Sequence, residues 1–202
     1  MSRPGLTVEV IVAAAAAEVD ANGFDALSLR AVAQRLKVKP PSLYNHLDGL
    51  EGLRRAVSIY ALKVLGDAVG RAAMGKSQEE DLVAMGMAVR ELARTRPGLY
   101  AATVRAHPPR DTEAAAASQA VLAPFVAVLA GFGLTGTAAV HAMRAMRSAA
   151  HGFASLEAGG GFGMPASIEA SYRFLLSAIV KAIRQEATGG EAASGDGRRA
   201  PS

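Results

Sequence analysis

Apolar residues recur along this chain at three- and four-residue spacings with almost no strict alternation, so the pattern predicts helices and needs no strands. Leu6 to Ala21 reads as a first helix that stops at Asn22-Gly23, because glycine readily takes the left-handed conformation that ends helices. Ser28 can cap a second helix, about Leu29 to Leu36, in which Leu29, Val32, Ala33 and Leu36 follow the i, i+3, i+4, i+7 rule. Pro40-Pro41 opens a third, from Pro41 to Leu47, since proline lacks only the N–H that a first helical turn leaves unpaired. Leu43 and Leu47 give that helix one apolar stripe and leave Ser42, Asn45 and His46 off it. Asp48-Gly49 turns into a longer fourth helix, Leu50 to about Ala73, with Leu53, Val57, Tyr60, Leu62, Val64 and Leu65 available for packing.

Gly75-Lys76-Ser77 interrupts the pattern, and a second block follows. Its helices are expected at about Gln78 to Thr95, Pro97 to Ala106, Asp111 to Gly131, Thr135 to Ala158 and Ser167 to Glu186. The breaks are Arg96-Pro97, His107-Pro108-Pro109, Gly131-Phe132-Gly133 and the run from Gly159 to Pro165. From Thr188 the sequence TGGEAASGDGRRAPS is small, polar and glycine-rich, the composition of a disordered tail.

Composition narrows the partners. Half of the 202 residues are hydrophobic, enough for real cores without staples. There is no cysteine, which excludes disulfides, thiolate metal sites and cysteine nucleophiles and fits a cytoplasmic setting. The start MSRPGLTVEV is followed by an apolar stretch broken by Glu9 and Glu18, so no export signal is read. The formal net charge is +4, and Arg30, Arg35, Lys37 and Lys39 fall between Ala26 and Leu47 with no acidic residue among them. A helix of about eight residues, the link Lys37-Val38-Lys39 and a second short helix make a helix-turn-helix, whose second helix enters the DNA major groove.

The stretch LSLRAVAQRLKVKPPSLYNHLDGLEGLRRAV, Leu27 to Val57, resembles the DNA-binding domain of the tetracycline-repressor (TetR) family over both helices, the turn, the LYNHL signature and the start of the fourth helix. The resemblance implies DNA-binding residues Ser28, Leu29, Arg30, Lys37, Lys39, Pro40, Pro41, Ser42, Tyr44, Asn45 and His46. Of these, Arg30, Lys37, Lys39, Ser42, Tyr44 and His46 are expected mainly on phosphates. Pro40 and Pro41 can meet thymine methyls, and Asn45 can pair with adenine. Two positions depart from the family pattern: Lys37 stands where glycine is usual and has to take a positive φ, and Leu50 stands where many relatives carry a phosphate-contacting lysine. That contact must be lost or else replaced by Arg54 or Arg55.

MRSAAHGFASLEAGGGFGMP, Met146 to Pro165, is similar to the carboxy-terminal ligand-binding and dimerisation domain of one TetR subgroup, the WHG type, whose signature centres on a His-Gly pair, here His151-Gly152. The resemblance implies that the last two long helices pair with their symmetry mates in a four-helix bundle, with Leu156, Ile168, Tyr172, Leu175, Leu176 and Ile179 as interface or core residues. The implied architecture is all-α: a three-helix DNA-binding domain at 1–49, a connecting helix at 50–76, an effector-binding and dimerisation domain at 77–186 and a tail at 187–202.

Other features carry less chemistry. His151 has no carboxylate three or four residues away, so a buried, hydrogen-bonded histidine beside a close-packing glycine is expected rather than a metal ligand. The GGGFG run follows a helix where a dinucleotide site needs a strand, and reads as a connector. Ala114 to Met143 contains no Asp, Glu, Lys or Arg, yet its longest apolar run is shorter than the roughly 18 residues of a membrane span. Helices buried on most sides, around a core or a cavity, are expected instead. Met85, Phe125, Met143, Met146 and Phe153 are candidates to line that cavity, with Tyr100 and His141 fixing a ligand's orientation. No set of nucleophile, base or metal groups converges, so neither an enzyme nor a cofactor is expected. The sequence therefore points to a homodimeric repressor released from a palindromic operator by a small apolar or amphipathic effector. The alternative is a dimeric DNA-binding protein without an effector, and an enclosed cavity separates the two.

Overall fold

A computed structural model describes residues 5–74 and 78–195; among them the regular structure is helical throughout. The helices are α1 (Val8–Asn22), α2 (Leu29–Leu36), α3 (Gly49–Ala72), α4 (Gln78–Thr95), α5 (Pro97–Ala102), α6 (Thr112–Gly131), α7 (Gly136–Ala158) and α8 (Ile168–Gly195), with a 3-10 turn at Pro40–Leu43 between α2 and α3. The chain divides into two compact units, Met1–Asp67 with Glu91–Val121, and Ala68–Arg90 with Leu122–Ser202. This differs from the linear partition expected from sequence. The helices α3, α4 and α6 each contribute to both, because continuous helices need no linker where the chain leaves one core for the other.

In the first unit the local signals act as read. Thr7 Oγ1 accepts the Val10 N–H and starts α1, and Gly23, at φ 87°, ends it by donating its N–H to the Val19 carbonyl at 2.8 Å. Ser28 Oγ accepts the Ala31 N–H and starts α2. Ile11, Ala15 and Val19 of α1 then meet Val32 and Ala33 of α2, Leu43 of the 3-10 turn, Leu53 and Val57 of α3 and Leu99 of α5 in one dry core. Each large aliphatic side chain buried there contributes roughly 1.5–3 kcal/mol. α5 is tied to α1: Asp20 accepts the Arg96 Nε–H at 2.8 Å and the Leu99 N–H at 3.2 Å.

Two elements are shorter or tighter than the sequence suggested. The expected helix from Pro41 to Leu47 is a four-residue 3-10 turn followed by further turns, closed by Ser42 N–H to Lys39 O, Tyr44 N–H to Pro41 O and His46 N–H to Leu43 O. The segment closes mainly through i→i+3 bonds, the tighter of the two helical turns. α5 ends at Ala102 rather than Ala106, where Thr103 turns its hydroxyl back onto the Tyr100 carbonyl. At the other end of the chain α8 continues past Glu186 to Gly195, through alanines and Glu191 that favour helix. The rest of the expected tail lies outside the described residues.

The second unit packs α7 against α8 and the first part of α4. Leu82 and Met85 of α4, Leu129 of α6, Met146 and Phe153 of α7, and Tyr172, Leu176, Val180 and Ile183 of α8 are buried. Phe153 stacks at a tilt on Tyr172, with centroids 4.7 Å apart, and on Phe162 at 4.6 Å. Tyr172 is fully buried and donates its hydroxyl to the Gly86 carbonyl at 3.0 Å. Arg90 grips Glu157 with two hydrogen bonds and lies 5.8 Å from the Tyr172 ring centre.

The uncharged stretch Ala114 to Met143 is not buried on most sides. Leu122, Val126 and Val140 are exposed, and α6 buries only 22% of its most apolar window, although it is long and apolar enough by length and composition to cross a membrane. The reason is phase: α6 presents Ala114 and Ala117 to one core and Leu129 to the other and leaves its remaining small residues outward.

Candidate nucleic-acid interface and effector region

The segment from Lys37 to His46 stands on one buried anchor. Leu43 is fully buried, while Lys37, Lys39, Pro40, Pro41, Tyr44 and Asn45 around it are exposed and Ser42 and His46 half-buried. Tyr44 is 59% exposed, an unusual state for an aromatic ring that a core would otherwise take. Lys37 sits at φ 56°, ψ 41°, the left-handed conformation expected where glycine is usual, and its N–H closes α2 onto Ala33 and Gln34. Holding a lysine there costs roughly 1–2 kcal/mol relative to a right-handed residue.

Charge around this segment is one-sided. Arg30, Lys37 and Lys39 make no ion pair among the described residues, whereas Arg35 is drawn onto Glu18 of α1 at 3.1 Å. Ser28 and Leu29 have structural work: the serine hydroxyl caps α2, and Leu29 packs half-buried against the core. Of the expected set, Arg30, Lys37, Lys39, Pro40, Pro41, Tyr44 and Asn45 are exposed, and Ser42 and His46 are half-buried.

Both arginines that could replace the lysine missing at Leu50 are engaged by carboxylates. Arg55 makes a two-pronged contact with Asp111, Nε to Oδ2 and Nη2 to Oδ1 both at 2.6 Å, and reaches Glu113 at 3.2 Å. Its guanidinium, helped by the Ala114 N–H, holds the Asp111 carboxyl down to about 2. Arg54 pairs with Glu51, which also takes Arg105 at 2.7 Å. Of the two α3 arginines, Arg55 is engaged by carboxylates 56 and 58 positions away and Arg54 by one a single helical turn away.

The expected effector residues do not form one group. Met85, Met146 and Phe153 are buried in the second unit, Phe125 and Met143 are half-buried there, and Tyr100 is half-buried in the first unit. His141 is exposed and so cannot orient a ligand inside the chain's own core. His151 is likewise exposed rather than buried, and Gly152 has open space where a Cβ would stand, because both fall on the outward stripe of α7. The second unit does hold a recess of about 640 Å³, lined by Gln78, Glu79, Gly131, Phe132, Arg184, Ala187 and Thr188. It is open to solvent, is bordered by the Glu79–Arg184 ion pair, and includes none of the expected residues. Among the described residues no three His, Asp or Glu side chains converge as metal ligands.

Comparison with known proteins agrees along the length of the chain. The family described as "Bacterial regulatory proteins, tetR family" matches residues 11–57, and "Tetracyclin repressor-like, C-terminal domain" matches residues 82–179. The HTH-type transcriptional regulator Rv0681 of Mycobacterium tuberculosis is 39% identical over 159 residues, 78% of this chain and 73% of that protein. The HTH-type transcriptional regulator YobS of Bacillus subtilis is 31% identical over 182 residues, 90% of this chain and 94% of that one. Among solved structures, a TetR variant from Acinetobacter baumannii AYE in complex with minocycline has the same fold, with a TM-score of 0.70 over 90% of this chain and 98% of that one at 19% identity.

Proposed function

Since this chain belongs to the TetR family of bacterial transcriptional regulators, we propose that it is a homodimeric, cytoplasmic repressor that binds a palindromic operator and is released from it by a small apolar or amphipathic effector. The observation that carries the DNA-binding part is the exposed, cationic segment from Lys37 to His46 standing on the buried Leu43. In this reading Arg30, Lys37, Lys39, Ser42, Tyr44 and His46 hold phosphates, and Pro40, Pro41 and Asn45 meet base edges. One 3-10 turn reads few base pairs, so two copies on half-sites about 34 to 36 Å apart supply the specificity that one lacks.

Dimerisation is supported by what the second unit leaves uncovered. Leu156 of α7, Phe174 of α8 and Met164 between them are 55%, 77% and 85% exposed, a cost in water that a second copy of the same helices removes. The effector part rests on analogy with the minocycline complex of the TetR variant, since the recess found in the second unit is open and is lined by residues other than those expected. Release requires that the ligand bind more tightly to a conformation whose reading segments no longer match successive grooves.

Ultracentrifugation of the full chain at micromolar concentration, followed by a thermal-shift screen of hydrophobic small molecules and calorimetry of any hit with and without bound DNA, tests the three parts in turn. Dimers, a stabilising compound and an affinity that falls when DNA is bound are the expected results. Monomers throughout would remove the palindrome. A ligand whose affinity ignores DNA would leave a DNA-binding protein without a switch.

A further inference from the structure

His107, in the loop after α5, lies between polar groups whose own bonds decide what its ring can do. Ser58 of α3 is fully buried, and its Oγ is 2.7 Å from the Ala102 carbonyl oxygen and 2.9 Å from His107 Nε2. A hydroxyl has one hydrogen and a carbonyl oxygen only accepts, so Ser58 donates to Ala102 and accepts from His107. The neutral ring is thereby held as the Nε2–H tautomer, and its bare Nδ1 lies 3.7 Å from Asp111 Oδ2. A lone pair thus faces a carboxylate oxygen, and that same oxygen takes the Arg55 Nε–H at 2.6 Å.

The charged groups around the ring are Asp111, Arg105 and Arg55, with Glu51 on Arg105 and Glu113 on Arg55. Burial is the strongest influence and pushes the imidazole below the usual histidine range; Asp111 acts the other way, and Arg105 and Arg55 push further down.

We propose that His107 is a proton-operated latch between α3 and the head of α6: its Nε2–H donates to Ser58 in both charge states, and once Nδ1 takes a proton from solvent the ring also competes with Arg55 for Asp111 Oδ2. Only an N–H bond forms in this step, and no bond between heavy atoms changes. Its consequence is mechanical. Arg55 lies near the start of α3, which follows the reading segment directly, so the tie that holds this part of α3 to Asp111 slackens as pH falls. The latch depends on unit-one geometry alone and stands or falls separately from the regulatory reading.

The test is long-range proton–nitrogen NMR of the 15N-labelled full chain between about pH 5 and pH 8, the range in which histidine changes charge. His107→Gln identifies the ring by its missing signals; if that variant does not fold, connection to the assigned backbone identifies it instead. The expected result is a neutral ring protonated on Nε2, a midpoint below 6.5, and an Arg55 Nε–H signal that moves with the same midpoint. In Asp111→Asn the midpoint falls further, because the carboxylate that favours the imidazolium is gone. A neutral ring protonated on Nδ1, or an Arg55 Nε–H that ignores the ring's titration, overturns the latch.

Discussion

Gly98 of α5 presses its Cα against the carbonyl of Val19 in α1 so closely that a Cβ at this position would overlap that carbonyl and stand 3.0 Å from Val19 Cγ1. Both obstructing groups belong to the core under the reading segment, and the carbonyl is backbone that cannot rotate away. Asp20, the next residue of α1, binds Arg96 and the Leu99 N–H, so α5 is fixed to α1 by close contact and by charge at the same place.

Gly98→Ala is therefore expected to destabilise the protein by about 3 kcal/mol, the upper end for overpacking a site with rigid walls. Urea denaturation followed by circular dichroism checks this. An unchanged midpoint would mean that α5 can move off α1 at no cost.

Lys37→Gly is expected to stabilise the fold by about 0.5–1 kcal/mol, the relief of left-handed strain less the extra freedom glycine gives the unfolded chain. The same change removes a cation from the proposed phosphate-gripping set. DNA affinity should therefore fall, and the slope of log affinity against log salt should flatten by about one unit, although the protein itself is more stable. Thermal melts and titrations at several salt concentrations separate the two effects.

Tyr172→Phe keeps the stacked ring and deletes the bond to the Gly86 carbonyl, so a loss of about 1 kcal/mol is expected, with the denaturant slope unchanged. A much larger loss would mean that the hydroxyl also holds the Arg90–Glu157 pair in place.

Asp111 predicts a pH dependence with a definite sign. Its carboxyl is held down from 3.8 to about 2 by Arg55 and the Ala114 N–H, so its contribution is complete above pH 3.8 and is lost as pH falls towards 2. The stability difference between the native chain and Asp111→Asn should shrink below about pH 4, separately from any change at higher pH that follows the His107 midpoint. A difference that shrank already near pH 7 would assign the effect to another group.

What the sequence disclosed and what it withheld follow from how local each signal is. Ser28 as a cap and Leu43 as an anchor are decided by neighbours within a few residues, the left-handed Lys37 follows from the resemblance to the TetR pattern, and the structure has all three. The tightness of the turn at Pro40–Leu43 was not legible, because the same residues permit an α or a 3-10 turn until the length of the following connection decides. The Arg55–Asp111 contact joins positions 56 apart, and no periodicity within one helix announces it. In α6 nearly every side chain is small or apolar, so the sequence could not say which stripe would be covered. His141 and His151 failed as interior residues for a similar reason: a ring on a helix of alanines and glycines carries no mark of its direction.

The central claim, that this chain reads DNA as a two-fold pair through the segment from Lys37 to His46, is tested most directly by selecting bound sequences from a random duplex pool with the full-length protein and repeating the selection with Asn45→Ala. The native chain is expected to enrich a palindrome with half-site centres one helical turn or a multiple of it apart, and the variant a preference relaxed at one position per half-site. Enriched sites without two-fold symmetry, or an identical palindrome from the variant, would contradict it.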